Sequence, residues 1–448
     1  MTQSSITGTD RVPDIAAALR EVAESPIMTA VDDAFPGSEV PRLVREDLDR
    51  TLADTTTVLG DGSVFVVTGD IPAMWLRDSA TQFWPYLPFA AERPDGAVAD
   101  LIAGVLRRQF ALIAHDPYAN AFNREPNSRA HDPGDADRDP LVWERKYEVD
   151  SLCFPVQLAH RLYRLTGRHD ILAGSFREAA AAIVETLERE RDHETSTYRF
   201  VRPGGNRLDT LQRDGRGTPV GRTGMTWSGF RPSDDACEYG YNIPANLFAA
   251  QALRQLAELL GEGVAADRAA ALGAELWAAT LRWGVVEADE HGGPVLAYEV
   301  DGLGGALTMD DANLPSLLSL PLTSDLADDD PLYLRTRAHI LSPANPHYWS
   351  GTAAAGIGSP HTWPRHVWPI AMAVDALTSP NLARKRELCE LLARTTEGTG
   401  RMHESFDVDE PARFTRGWFS WADSMFCLVA MEVAGVSERH GCLSIRAK

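Results

Sequence analysis

The sequence predicts a mostly α-helical chain folded as one domain, with antiparallel helices arranged as a toroid around a central cleft. Three observations carry this expectation. Apolar residues recur at three- and four-residue spacing in about ten to twelve segments. Those segments do not alternate with strands, which argues against a parallel α/β sheet. No Pro/Gly/Ser-rich linker, low-complexity run or internal repeat divides the 448 residues. The expected division is a loose polar tail over 1–12 and a single domain over 13–448.

Taken in order, Ile15 to Val22 and Val44 to Leu59 read as helices, the second opened by the acidic run Glu46-Asp47-Leu48-Asp49. Ser63 to Gly69 is β-branched and reads as a strand. Val98, Leu101, Ile102 and Val105 fall on one face of a helix that must end near Pro117. Leu152, Val156, Ala159 and Leu162 repeat the pattern up to Gly167, and Phe176, Ala180, Ile183 and Leu187 repeat it again. Ala249, Leu253, Leu256 and Leu260 run to Gly261, followed by Ala269, Leu272 and Leu276. Leu388, Leu391 and Leu392 mark a late helix, and Trp418, Trp421, Met425 and Leu428 the last long one. Short β-hairpins are expected between helices at 63–69, 195–202 and 293–302.

Composition narrows the function classes. With 43 Lys and Arg against 64 Asp and Glu, the formal charge is −21, the wrong sign for nucleic acid or an anionic membrane surface. Hydrophobic content of 44% is enough for a sizeable core. The first ten residues have no basic start followed by an apolar stretch, so they do not read as a secretory signal. No window approaches the roughly 18 apolar residues of a membrane span. Cys153, Cys237, Cys389, Cys427 and Cys442 are scattered and lack CxxC spacing. They read as reduced thiols of a cytoplasmic protein, not as disulfides or a zinc site.

Chemistry concentrates in the loops, where function usually lies. The stretch Trp227 to Asn246 places Trp227, Phe230, Arg231, Asp234, Asp235 and Glu238 around Gly229 and Pro232, which hold its first half as a loop. Ser233 is expected to cap a helix that follows the acidic pair. In Thr68 to Ser79, Arg77 and Asp78 suit neighbouring hydroxyls of one sugar ring, with Asp70 as a further acceptor and Trp75 as a stacking face. An internal Arg77–Asp78 salt bridge is an equally good reading of that pair.

Glu148 and Asp150 stand at a helix head and read as dipole-complementing residues. The acidic loop 131–139 lacks the EF-hand spacing and reads as solvated. Asp310, Asp311 and Asn313 precede a helix they can cap. His361 lies in a glycine-rich stretch with tryptophans nearby, and no nucleotide-cradling glycine pattern is present. Glu404, between His403 and Ser405, fits no amphipathic pattern, and there is neither a zincin nor a GxSxG motif. Acidic sites from distant loops, many aromatics and no cofactor motif together point to glycoside hydrolysis, which needs two carboxyl groups. A sugar-binding protein and a polysaccharide lyase of similar shape stay open on these residues alone.

Four motifs, Asp70 to Ser79, Ser228 to Ala236, Gly356 to His361 and Met402 to Phe406, occur in an order that resembles glycoside hydrolase family 125 over roughly 40–435. The resemblance implies an (α/α)6 barrel and an exo-acting, inverting α-1,6-mannosidase that uses no metal or cofactor. It implies Glu404 as general base and one aspartate of the Asp234–Asp235 pair as general acid. The Ser-Gly-x-Asp-x-Ala/Ser context of related inverting enzymes favours Asp234. Arg77 and Asp78 would hold the terminal mannose, with Trp75, Arg231, His361 and Arg416 lining the pocket. The implied partner is a mannose-containing oligosaccharide, with no nucleic acid or membrane, and the oligomeric state is left open. A non-catalytic carbohydrate-binding protein of this fold, or a trehalase-like or glucosidase-like inverting enzyme, is the alternative.

Overall fold

The computed structural model describes residues 12–135, 139–288 and 293–436. Nearly all of the expected polar tail, most of its 1–12 span, and the middle of the acidic loop lie outside these residues. The chain is helix-rich, as its periodicity requires. Among the described residues, eight helices of 13 residues or more form the frame: α1 (Val40–Asp54), α2 (Ala97–His115), α3 (Val149–Thr166), α4 (Phe176–Arg189), α5 (Ile243–Leu260), α6 (Val264–Gly284), α7 (Leu382–Arg394) and α8 (Ser420–Val433). Shorter helices at Ile15–Ala23, Pro26–Ala34, Leu76–Thr81, Leu87–Glu92, Pro331–Ile340 and Pro369–Leu377 fill in between. Most of these are too short to show the repeat that identifies a helix in sequence.

Gly167 ends its helix where it was expected, and further punctuation sets the other ends. Gly167 ends α3 in a left-handed conformation with φ 69°, and its N–H bonds the Tyr163 carbonyl. Asn242 caps α5 through Ala245 N, with Pro244 in the first turn. Antiparallel α5 and α6 pack closely, and Gly273 makes this possible: a Cβ there would lie 2.9 Å from the Ala250 carbonyl oxygen.

One set of helices packs in series: Leu76–Thr81 on α3, α3 on α5, α5 on Leu320–Thr323, and Pro369–Leu377 on α8, which returns to Leu76–Thr81. A second set, including α1, α2, α4, α6 and α7, packs behind it. Each helix of the first set is entered from a loop carrying one of the chemical clusters. Three of them are entered from a two-residue strand at or next to the helix start: Met74–Trp75, Tyr241–Asn242 and His366–Val367. Each strand belongs to a three-stranded antiparallel sheet. The functional loops are therefore pinned by short ladders at helix N-termini.

Early and late helices meet. Helix α8 packs on α1, Gly69 bridges Phe419, and Ser420 Oγ lies 3.4 Å from Thr51 Oγ1 and accepts from Gln82 Nε2 at 3.1 Å. This seam ties α8 to the early part of the chain.

Several local expectations are corrected. The second helix ends at Asp54, because Thr56–Val58 turns back to pair with Val64–Val66, which supplies the hairpin expected at 63–69. The 195–202 segment forms no strand. Tyr198 and Phe200 are buried as alternation predicts, but Phe200 bonds to irregular backbone at Leu211 and Gly215. Within 293–302, Val295–Leu296 pairs with Val285–Val286, whereas Glu299–Val300 pairs with Tyr241–Asn242 and Ala306–Leu307, so this is not a self-contained hairpin. No helix follows Asp235 until Ile243, and the Ser233 hydroxyl donates to Asp311 at 2.8 Å instead of capping. Trp418 lies outside α8. Among the described residues no helix is long and apolar enough to cross a membrane.

Candidate active site

The acidic pair sits at the tip of a tight loop. Phe230 bridges Ala236, Arg231 N donates to Asp235 O at 2.8 Å, and Asp234 N donates to Arg231 O at 2.9 Å. Closing so short a loop puts Asp234 at φ 65°, a left-handed conformation that costs a non-glycine residue of order 1–3 kcal/mol and is characteristic of functional sites. Lys146 Nζ holds the Asp234 carbonyl at 2.7 Å, and Asn313 Nδ2 holds that of Pro232 at 3.2 Å. The Asp310–Asn313 cluster thus clamps the loop through Asp311 and Asn313, while the Asp310 carboxyl accepts from Leu317 N and Leu318 N.

The two aspartates point into different surroundings. The Asp234 side chain keeps 25% of its surface exposed, against 3% for Asp235. Asp235 Oδ1 lies 2.8 Å from His361 Nδ1. Burial pushes the Asp235 carboxyl up, against the pull of His361. For Asp234, burial also pushes up, but Arg77, a hydrogen bond from Glu148, Lys146 and His361 outweigh it and hold the carboxyl low.

Arg77 is the hub of the contacts around Asp234. Its Nη1 lies 2.6 Å from Glu148 Oε2 and 3.3 Å from Asp150 Oδ2, its Nη2 3.2 Å from Asp234 Oδ1, and its Nε 3.4 Å from Asp78 Oδ2. Asn120 Nδ2 reaches Glu144, Glu148 and Asp234 at 3.1, 3.3 and 3.4 Å. Arg77 and Asp78 do pair internally, and Thr68 Oγ1 donates to Asp78 Oδ1 at 2.6 Å.

Glu404 comes from a distant part of the chain. It immediately precedes the strand Ser405–Asp407, the centre of a sheet between His366–Val367 and Phe414–Thr415. Its N–H donates to Thr415 O at 3.3 Å, and the His403 ring stacks on Phe414 at 3.7 Å. Arg416 Nη1 lies 3.4 Å from Glu404 Oε1, while its Nε and Nη2 hold Asp70 Oδ1 at 3.0 and 2.6 Å and Nη2 reaches Thr68 O at 3.3 Å. A continuous chain, Glu404–Arg416–Thr68–Asp78–Arg77–Asp234, therefore joins the two halves. His361 lies within the field of both: burial opposes its charge, but Asp235, then Glu404 and Asp234, raise it to about 9.

Asp70, Arg77, Asp78, Asp234, Asp235, His361, Glu404 and Arg416 thus form one connected group. Trp75 packs with Ala73, Ala121 and Trp143 in a small cluster apart from the main core. Arg231 is committed to Glu299, Nε to Oε1 at 2.6 Å, and lies over the Tyr298 ring. Trp227 is core, stacked on His193 at 3.4 Å and on Tyr147. Sequence reasoning missed Glu148, Asp150 and Asn120, which are buried around Arg77. The acidic loop is partly anchored, with Asp135 paired to Arg202, which also holds Glu144 at 2.7 Å. Among the described residues no group of three or more His, Cys, Asp or Glu side chains is arranged to hold a metal ion.

Comparisons bear on this geometry. A family model described as metal-independent alpha-mannosidase (GH125) matches residues 37–431. A Streptococcus pneumoniae protein described among metal-independent alpha mannosidases, in a non-productive complex with alpha-1,6-mannobiose, is 41% identical. It superposes with a TM-score of 0.89 over 95% of this chain and 100% of its own. The meiotically up-regulated gene 157 protein of Schizosaccharomyces pombe is 39% identical over 86% of this chain and 80% of its own. A bacterial glucoamylase complexed with acarbose shares the fold at 11% identity, with a TM-score of 0.54 over 88% of this chain and 55% of its own. The chain belongs to glycoside hydrolase family 125, the metal-independent α-mannosidases.

Proposed function

We propose that this protein is an exo-acting, inverting α-mannosidase that removes terminal α-1,6-linked mannose from oligosaccharides. Asp234 serves as general acid and Glu404 as general base. The observation that carries the reading is the unbroken chain of contacts from Glu404 through Arg416, Thr68, Asp78 and Arg77 to Asp234. It brings two carboxyl groups from distant loops to one site, as glycoside hydrolysis requires. The α-1,6-mannobiose complex of the pneumococcal relative supports the linkage. Asp234 is favoured over Asp235 because it is the more exposed of the two and Asp235 is committed to His361. The two packed sets of helices, one behind the other, favour an (α/α)6 barrel spanning a single catalytic domain over 13–448. Four buried free thiols, Cys153, Cys237, Cys389 and Cys427, fit a reducing, cytoplasmic compartment.

In this mechanism Asp234 protonates the glycosidic oxygen while Glu404 takes a proton from the water attacking the anomeric carbon on the opposite ring face. Inverting pairs stand roughly 6.5–9.5 Å apart to admit that water. Arg416 orients the base and Arg77 the acid. The test is incubation with α-1,6-mannobiose and assignment of the first-formed mannose anomer by proton NMR. β-Mannose is expected. α-Mannose as the first product would refute inversion. Binding without any product would favour a carbohydrate-binding protein, and cleavage of trehalose or a glucoside alone a different inverting enzyme.

A further inference from the structure

Carboxyl groups crowd around Arg77 beyond what one guanidinium can neutralise. Asp78, Glu148, Asp150 and Asp234 all lie within 3.4 Å of it. The other cations nearby are engaged: Lys146 with Glu144 and Asp209, Arg202 with Asp135 and Glu144, Arg416 with Glu404 and Asp70. Like charges this close and this buried cannot all ionise, so the cluster keeps a proton.

The contact between Glu148 and Asp234 is where it belongs. The two carboxyls are close neighbours, and a proton held between them relieves their repulsion. They also share the Arg77 fork and the Asn120 amide. Their exposures differ sharply, at 0% for the Glu148 side chain and 25% for Asp234. Burial drives Glu148 well above the carboxylate range, while Asp234 is held low. A carboxylate held low is a poor general acid at neutral pH.

We propose that Glu148 is the positioning partner of the acid, storing the proton that Asp234 delivers to the leaving group. The proposal rests on the reading of Asp234 as general acid. The O–H bond of Glu148 breaks as one forms on the facing oxygen of Asp234. Rotation of the Asp234 carboxyl presents the proton to the glycosidic oxygen, which takes it as the bond to the anomeric carbon breaks. Glu404 removes one proton from the attacking water and loses it to solvent, and Glu148 regains one from solvent, so protons balance over the cycle. The groups facing Glu148 are Arg77, Asn120, Asp150, Ser151 and Asp234, with Glu144 and Lys146 behind Asn120 and Asp234. The dyad's single proton gives one apparent pKa belonging to the pair.

The experiment compares Glu148→Gln with wild type on α-1,6-mannobiose and on 2,4-dinitrophenyl α-mannoside, whose leaving group needs no proton. Gln preserves the shape of a protonated Glu but donates only an amide hydrogen bond. On mannobiose kcat is expected to fall about 10- to 100-fold with KM within about threefold, within the range of lost acid catalysis. On the dinitrophenyl substrate the loss is expected to stay under about threefold. The basic limb of the mannobiose pH profile should move to lower pH. Equal loss on both substrates, or an unmoved basic limb, overturns the proposal. Glu148→Asp, which retains a titratable carboxyl, should keep its basic limb above that of the Gln variant, and if it does not the proposal also fails. Asp234→Asn tests the underlying reading separately: wild-type turnover of mannobiose by that variant removes Asp234 as the acid, whatever Glu148 does.

Discussion

Arg416 stands 3.4 Å from Glu404, the nearest cation to the proposed base, and is itself fixed by Asp70. An orienting contact of this kind matters because small misplacements of a reacting group cost about 10²-fold in rate. Arg416→Ala is expected to lower kcat on α-1,6-mannobiose by about that factor while leaving the melting temperature within a few degrees. Steady-state kinetics and a thermal melt check both halves of the expectation.

Glu404→Gln removes the group that takes the water's proton but keeps its shape. Turnover of mannobiose should fall by at least about 10²–10⁴-fold. Calorimetric titration with mannobiose should still give binding close to that of the wild type. A variant that turns over at the wild-type rate would remove Glu404 from the mechanism.

Glu299 is buried and accepts from Arg231 Nε at 2.6 Å and from Glu238 N and Tyr239 N at 2.9 Å. Glu299→Ala strands the Arg231 charge and two loop amides. Breaking a buried pair by removing one partner costs about 3–5 kcal/mol. Urea denaturation should show a loss of that order, with a large drop in activity, because the same loop carries Asp234.

His361 gives a pH signature. Its ring is raised to about 9 in the fold against about 6.5 for an unpaired His. A raised cationic group stabilises fully below the unfolded value, and the contribution is lost as pH rises through about 9. With 36% of the side chain exposed, solvent screens the pair and the effect is small. The melting-temperature deficit of His361→Gln relative to wild type should be present at pH 6 and gone by pH 10.

Gly358 precedes His361 on a loop packed against backbone. A Cβ at this position would lie 2.2 Å from the His366 carbonyl oxygen, which belongs to a strand and cannot yield as a side chain would. Gly358→Ala should cost about 1–3 kcal/mol, the usual range for overpacking. It should also reduce kcat by displacing His361 from Asp235, measurable as a joint loss of stability and rate.

The long helices and the acid–base candidates were legible in sequence, for different physical reasons. Helices such as α3, α5 and α6 repeat their apolar face over several turns, and Gly167 and Gly261 mark their ends. Glu404 stood out because no amphipathic pattern accounts for it, whereas Asp234 was singled out by the motif resemblance. Two-residue strands such as Met74–Trp75 carry no period at all, and their partners lie far along the chain. Glu148 hid for the opposite reason: a carboxylate at a helix start already has an ordinary explanation. The signal available was Arg77 itself, a cation too well buried in apolar sequence to lack several acidic partners. Trp227 sits in a polar loop by sequence, yet it stacks in the core on His193.

The seam between α1 and α8 has a consequence for how the protein is made. The acid loop leaves the ribosome well before Arg416 and the α8 segment that seats it against Thr68 and Gly69. At about 5–20 residues per second, roughly 10–40 s separate the synthesis of Asp234 from that of Val433. During that interval the faces of α1 and Leu76–Thr81 that pack on α8 lack their partner. A nascent chain stalled before α8 would already carry both Asp234 and Glu404, yet would leave those apolar faces open to aggregation.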